Sequence, residues 1–208
     1  MSSQQVIYCI PGLGIDHRIF QKIDLSNYDV RYLDYDDNFS KKDTVSSFAA
    51  KFAEQIDPTT NPILIGMSLG GILSVEISRL IPCKAIVLIS SVKNKEEIPN
   101  LLKLIPKITV TTKTTTKLAI ETSIVLKPYY DSSDKEGTDL FESMIKNANI
   151  NFINWGFKAV SKWNFNQSIK CPYFHIHGTN DLIFPLKNID NANTIKGGTH
   201  YMLSLIHI

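Results

Sequence analysis

The residues of this chain best suited to chemistry are Ser68, Asp181 and His200, and the sequence around each says why. Ser68 is the centre of Gly66-Met67-Ser68-Leu69-Gly70, followed by Gly71 and preceded by the apolar run Pro62-Ile63-Leu64-Ile65. That run reads as a strand, and beyond the serine Leu73, Ile77, Leu80 and Ile81 recur at helical spacing until Pro82. A serine at the tip of a strand-to-helix turn projects its hydroxyl clear of the backbone. Neighbouring chain then passes so close on both sides that only glycine fits. Three fixed positions of this kind recur by chance in roughly one chain in fifteen of this length, so the motif needs support from elsewhere.

Asp181 and His200 supply that support. Pro172-Tyr173-Phe174-His175-Ile176-His177 reads as a strand running into Gly178-Thr179-Asn180-Asp181, and Asn193-Thr194-Ile195-Lys196 as one running into Gly197-Gly198-Thr199-His200. In an open parallel sheet, functional groups collect beyond the carboxyl ends of the strands, so serine, acid and imidazole share one edge. A serine hydroxyl is a weak nucleophile at neutral pH, and a neutral imidazole can take its proton and later return it. A carboxylate on the other ring nitrogen fixes the tautomer and stabilises the imidazolium as it forms. The expected chemistry is acyl transfer through an acyl-Ser68 intermediate, without metal or organic cofactor. The structural alternatives are an Asp181 that only caps a turn and a His200 that is only packed.

The remaining histidines fit other roles. His175 and His177 lie two apart on a strand and point to one side, which with Asp181 raises a metal site as a competing idea. The His-x-His-x-Asp-His pattern of metallo-hydrolases would need aspartate where Thr179 stands. His17 is expected to be structural or at a rim, and His207 is uninformative.

The elements that must hold these groups alternate. Val6–Ile10 and Val30–Leu33 read as strands, about Thr44 to Ile56 as a helix, and Lys84–Ile89 as a continuous apolar strand, the pattern of parallel strands covered on both faces. The expected fold is α/β, a doubly wound, mainly parallel sheet of about six strands. Residues 92–170 are too many for a crossover or for a structureless loop in a compact domain, so they are expected to form a helical cap inserted between core segments 1–91 and 171–208. Leu140, Phe141, Met144 and Ile145 mark one amphipathic cap helix; Ile153, Phe157 and Val160 mark another ending near Trp163. Thr109 to Lys117 has low complexity and is expected to be an exposed part of the cap. The cap's apolar residues and Trp155 suggest an acyl or aryl pocket.

The 208 residues, 43% hydrophobic and 20% charged, suffice for one substantial core and exclude disordered and fibrous classes. A net charge of +2 without a sustained basic run gives no electrostatic case for nucleic acid or a membrane surface, which leaves a small ester-like molecule as the expected partner. Cys9, Cys83 and Cys171 are odd in number and scattered, and no leader or membrane span is evident, so reduced thiols in a cytoplasmic protein are expected.

With these residues in hand, the chain resembles the α/β-hydrolases, whose triads follow the order Ser68, Asp181, His200. It looks closest to small single-domain members in which a Gly-Leu-Gly-x-Asp-x-Arg-x-Phe segment follows the first strand, here Gly12, Leu13, Gly14, Asp16, Arg18 and Phe20. The resemblance implies an oxyanion hole built from the backbone amides of Leu13 and Leu69. Ile10-Pro11-Gly12 stands where a His-Gly start is more common. Serine at position 68 disfavours epoxide hydrolases and haloalkane dehalogenases, which carry aspartate there. What remains is a carboxylesterase or thioesterase, a C–C hydrolase, a lyase, or a ligand sensor with little turnover, and the fold does not choose among them. The family's sheet normally continues after the histidine into a covering helix, whereas eight residues follow His200 here. An incomplete C-terminus is therefore expected, with Met202, Leu203, Leu205 and Ile206 starting an unfinished apolar face that favours self-association.

Overall fold

The computed structural model describes residues 4–35, 39–104 and 135–202. Six strands form one sheet: β1 (Val6–Ile10), β2 (Asp29–Tyr32), β3 (Ile63–Met67), β4 (Ala85–Ile89), β5 (Tyr173–Gly178) and β6 (Asn193–Ile195). Their spatial order is β2-β1-β3-β4-β5-β6, and every pairing is parallel. The apolar runs explain this arrangement. All five residues of β1 are buried, which only a strand covered on both faces requires. The chain moves outward from β1 to β2, then returns across β1 to β3. The direction of winding therefore reverses between β1 and β3, and the loops leaving these two strands sit side by side.

Helices cover both faces. Among the described residues they are α1 (Val45–Ala53), α2 (Leu69–Ile77), α3 (Asn100–Leu104), α4 (Lys135–Asn147) and α5 (Ile150–Ser161). Thr44 and Ser47 form a reciprocal capping box at the start of α1, and the Asn149 side chain accepts from the Asn151 and Phe152 amides at the start of α5. On one face Tyr8, Ile10, Leu64, Ile86 and Leu88 meet α1, α2 and α5. On the other, Ile7, Cys9, Ile65, Met67 and Ile89 meet Phe20, Ile23 and the Phe141, Met144 and Ile145 stripe of α4. This even and odd split is the two-residue period of a strand expressed in packing.

Two expected helical patterns are corrected. α2 ends at Ile77 rather than running to Pro82, because the Leu80 amide bonds back three residues to the Ile77 carbonyl and tightens the turn. Leu80, 55% exposed, thereby leaves the core. The buried stripe of α5 is Phe152, Ile153, Trp155, Gly156, Ala159 and Val160. Phe157 falls just past its edge and is 40% exposed. The Thr109–Lys117 expectation and the expectations for Leu203, Leu205 and Ile206 lie outside the described residues; Met202 is buried.

An aromatic cluster joins α1 to α5. Phe48 lies 4.6 Å from Trp155, 5.1 Å from Phe52 and 5.8 Å from Phe152, centroid to centroid. Phe48→Ala is therefore expected to lower the unfolding free energy by about 3–5 kcal/mol, read from the midpoint of a urea titration at unchanged m-value.

Candidate active site

Glycine determines where Ser68 sits. A Cβ on Gly70 would stand 2.0 Å from the Ile10 carbonyl oxygen and 2.4 Å from that of Pro11; one on Gly66 would stand 2.4 Å from the Gly70 carbonyl oxygen. The turn after β3 is thus pressed against the end of β1, and any side chain would force it away. Ser68 itself has φ 52° and ψ −117°, a conformation that costs a non-glycine residue about 1–3 kcal/mol and persists only where neighbours impose it. Here they do. The Ser68 amide donates to the Ile89 carbonyl at 2.9 Å, and its carbonyl accepts from Ser91 Oγ at 2.7 Å and from the Gly71 amide at 3.0 Å.

The loop after β1 lies against the serine, since a Cβ on Gly12 would stand 3.2 Å from Ser68 Cβ. This places Leu13, in the loop after β1, beside Leu69, the first residue of α2; these are the two residues expected to offer amides. Tyr35 Oη donates to the Pro11 carbonyl at 2.6 Å and anchors the loop from below. Downstream, Asp16 caps the short helix His17–Phe20 and pairs with Arg18, whose guanidinium also reaches Ser143 on α4. His17 is half-exposed and pairs with Asp34. Gly156 on α5 packs directly on the Leu13 side chain, so α5 rests on this loop.

Asp181 and His200 arrive from the ends of β5 and β6. His200 Nε2 is 2.9 Å from Ser68 Oγ, and His200 Nδ1 is 2.8 Å from Asp181 Oδ2. The nitrogen facing a carboxylate carries the proton, which leaves Nε2 free to accept from the serine hydroxyl. The other Asp181 oxygen accepts from the Ile183 and Phe184 amides at 2.9 and 2.8 Å. Asp181 therefore caps a turn and faces an imidazole at once; the two roles use different oxygens. Burial would raise its pKa, but the His200 ring, the hydrogen bond to it and the Phe184 amide outweigh burial and hold the carboxyl below its ordinary value. Phe184 and Tyr201 enclose the His200 ring, at 5.6 and 5.2 Å between centroids.

The structure also brings in residues that no sequence signal singled out. Ser91, Phe184 and Tyr35 touch the site through a carbonyl or a ring face, contacts that leave no pattern of spacing. Trp155 packs among Phe39, Phe48 and Phe152, and its Nε1 donates to the Asp43 carbonyl at 2.8 Å. It also lines a cavity of about 840 Å³ on the flank of α5, together with Lys41, Lys42, Arg79, Lys158 and Lys162. Among the described residues, no group of three or more His, Cys, Asp or Glu could hold a metal ion. No described helix is long and apolar enough to cross a membrane.

No family model and no curated protein matches the chain by sequence, whereas solved structures match its fold. A lipase-esterase related protein from Clostridium acetobutylicum superposes with a TM-score of 0.72 at 16% identity, covering 98% of this chain and 90% of that one. A carboxylesterase structure from the thaumarchaeon Nitrososphaera gargenis gives 0.69 at 18% identity over 97% and 85%. MenH from S. aureus gives 0.71 at 17% identity over 96% and 86%. The chain has the α/β-hydrolase fold. Within an α/β-hydrolase sheet, the switch between β1 and β3 is where Ser68 and the Leu13 loop meet.

Buried histidines beside this site make the stability of the α/β-hydrolase fold depend on pH. Burial, aided by the Lys93 ammonium 3.4 Å from Nδ1, pushes His175 down to about 3, and burial lowers His177 as well. An unfolded histidine binds a proton below about pH 6.5. Between there and about pH 3 the unfolded chain holds a proton that folded His175 refuses, so stability rises with pH and is lost on acidification. The melting temperature is expected to climb from pH 4 to pH 6.5, and His175→Phe to flatten that slope, as scanning calorimetry in constant ionic strength would show.

Proposed function

We propose that this chain is a serine hydrolase that cleaves small carboxylic esters or thioesters through an acyl-Ser68 intermediate. The observation that carries this reading is the unbroken hydrogen-bonded line from Ser68 Oγ through His200 to Asp181, with the Gly12–Leu13 loop alongside. Neighbours described as lipase-esterase related and as carboxylesterases support the ester class.

In the proposed cycle, His200 Nε2 takes the Ser68 proton as Oγ attacks the carbonyl carbon. The amides of Leu13 and Leu69 donate to the tetrahedral oxygen, the point where negative charge develops and where fixed dipoles contribute most. Asp181 stabilises the His200 imidazolium, which then protonates the departing alcohol or thiol. Water, deprotonated by the same imidazole, releases the acid and restores Ser68. None of these steps calls for a metal or an organic cofactor. Residues 92–170 act in this reading as a cap, with α5 pressed on the Leu13 loop forming one wall of the acyl pocket.

An active-site serine phosphonate is expected to label the wild type and not Ser68→Ala. Against a panel of short esters and thioesters, Ser68→Ala is expected to lose activity on the order of 10⁴-fold or more, His200→Ala about as much, and the double variant little beyond either, since members of such a unit fail together. Turnover that survived Ser68→Ala and was abolished by EDTA would overturn the proposal.

A further inference from the structure

A second imidazole lies behind Asp181. His177 is fully buried on β5, with Nε2 2.7 Å from the Phe184 carbonyl oxygen and 3.4 Å from Asp181 Oδ2. Its Nδ1 is buried and, among the described residues, has no hydrogen-bond partner. These contacts fix its state. Nε2 faces two acceptors and must carry the proton. A second proton on Nδ1 would be a buried donor without an acceptor, which the fold penalises. Of the influences around it, burial opposes a cation most, and His200 opposes it too; Asp181, the Phe184 carbonyl and Glu97 favour one, and burial decides for the neutral form.

Phe184 is thus gripped by both of its backbone polar groups. Its amide donates to Asp181 Oδ1 and its carbonyl accepts from His177, while its ring packs on His200. We infer that His177 is a positioning residue, which locks the Asp181–Phe184 turn so that Asp181 Oδ2 presents to His200 Nδ1 and the Phe184 ring backs the His200 imidazole. His177 itself is held from behind. His175, edge-on to it at 5.3 Å, is anchored by the Ser91 carbonyl at Nε2 and by Lys93, whose ammonium is paired with Glu97 at 2.6 Å. Ser91 in turn bonds the Ser68 carbonyl, so one buried network supports the acid and the nucleophile from the same side.

The kinetic arm of the test rests on the serine hydrolase reading; a spectroscopic arm does not. His177→Leu removes the donor to Phe184, whereas His177→Gln replaces it, because the glutamine side-chain nitrogen is as many bonds from Cα as Nε2. Per site titrated by the phosphonate, His177→Leu is expected to lose about 10- to 100-fold in kcat with KM changed by less than about threefold, the signature of misplaced groups rather than lost binding. His177→Gln should regain most of that loss. Independently, the proton between His200 Nδ1 and Asp181 should resonate far downfield in the wild type and in His177→Gln, identified by its absence in His200→Ala, and should vanish in His177→Leu. A His177→Leu protein that keeps both kcat within threefold and the resonance overturns the inference, as does a glutamine variant no better than leucine. If the wild type takes no phosphonate label, the hydrolase reading fails and the resonance alone decides on His177.

Discussion

The contact on which the site depends is the collision that glycine avoids between the turn after β3 and the end of β1. With hydrogen alone at Gly70, the α2 backbone comes to rest on the Ile10 and Pro11 carbonyls. That approach sets the unusual Ser68 backbone angles and brings Gly12 against Ser68 Cβ in the same movement. Nucleophile and loop are therefore not two features tuned separately. They are one packing solution, available only because β1 and β3 are neighbours and both run toward the same edge. The strain at Ser68 is borne by the sheet: the Ile89 carbonyl and Ser91, at the end of β4, take the two polar groups of its backbone.

Much of this was legible in the sequence, and for identifiable reasons. Buried parallel strands must be apolar on both faces, so Val6–Ile10 and Ala85–Ile89 stand out against any background. The close approach at the turn demands glycine, so Gly66 and Gly70 announce it. Asp181 and His200 follow because each sits a few residues beyond a recognisable strand. Where the reading erred, the cause was a stop or a boundary that periodicity does not encode. α2 closes on its own Ile77 carbonyl before Leu80 reaches the core, and Phe157 falls a few tens of degrees outside a buried stripe that the neighbouring Trp155 and Gly156 had widened. Trp155 shows a different limit: an indole on an amphipathic helix carries no mark that foretells either the aromatic cluster and Asp43 carbonyl it meets or the cavity it lines.

The groups behind the site were illegible for a third reason, which is that they act through backbone carbonyls. Ser91 bonds Ser68 through its carbonyl, His177 bonds Phe184 through its carbonyl, and Tyr35 bonds Pro11 through its carbonyl. Such contacts constrain only the donor, and the acceptor can belong to any residue type. Among them, only the two-residue spacing of His175 and His177 left a trace, by putting both rings on one side of β5.

The arrangement of those rings makes a chemical division of labour. Asp181 Oδ2 has two imidazole nitrogens in view, at 2.8 Å from His200 and 3.4 Å from His177. Were both rings able to gain a proton, the carboxylate's stabilisation would be divided between them, and a charged His177 would repel the charge that His200 must acquire during the proposed reaction. The fold prevents this without removing the second ring. His177 spends its one N–H on the Phe184 carbonyl and has no acceptor for another among the described residues, so it stays neutral. His200 alone has both an acceptor for its proton at Nδ1 and a hydroxyl facing Nε2. The charge of Asp181 is thereby directed to the one imidazole that can use it, and the second ring serves by holding the turn in place.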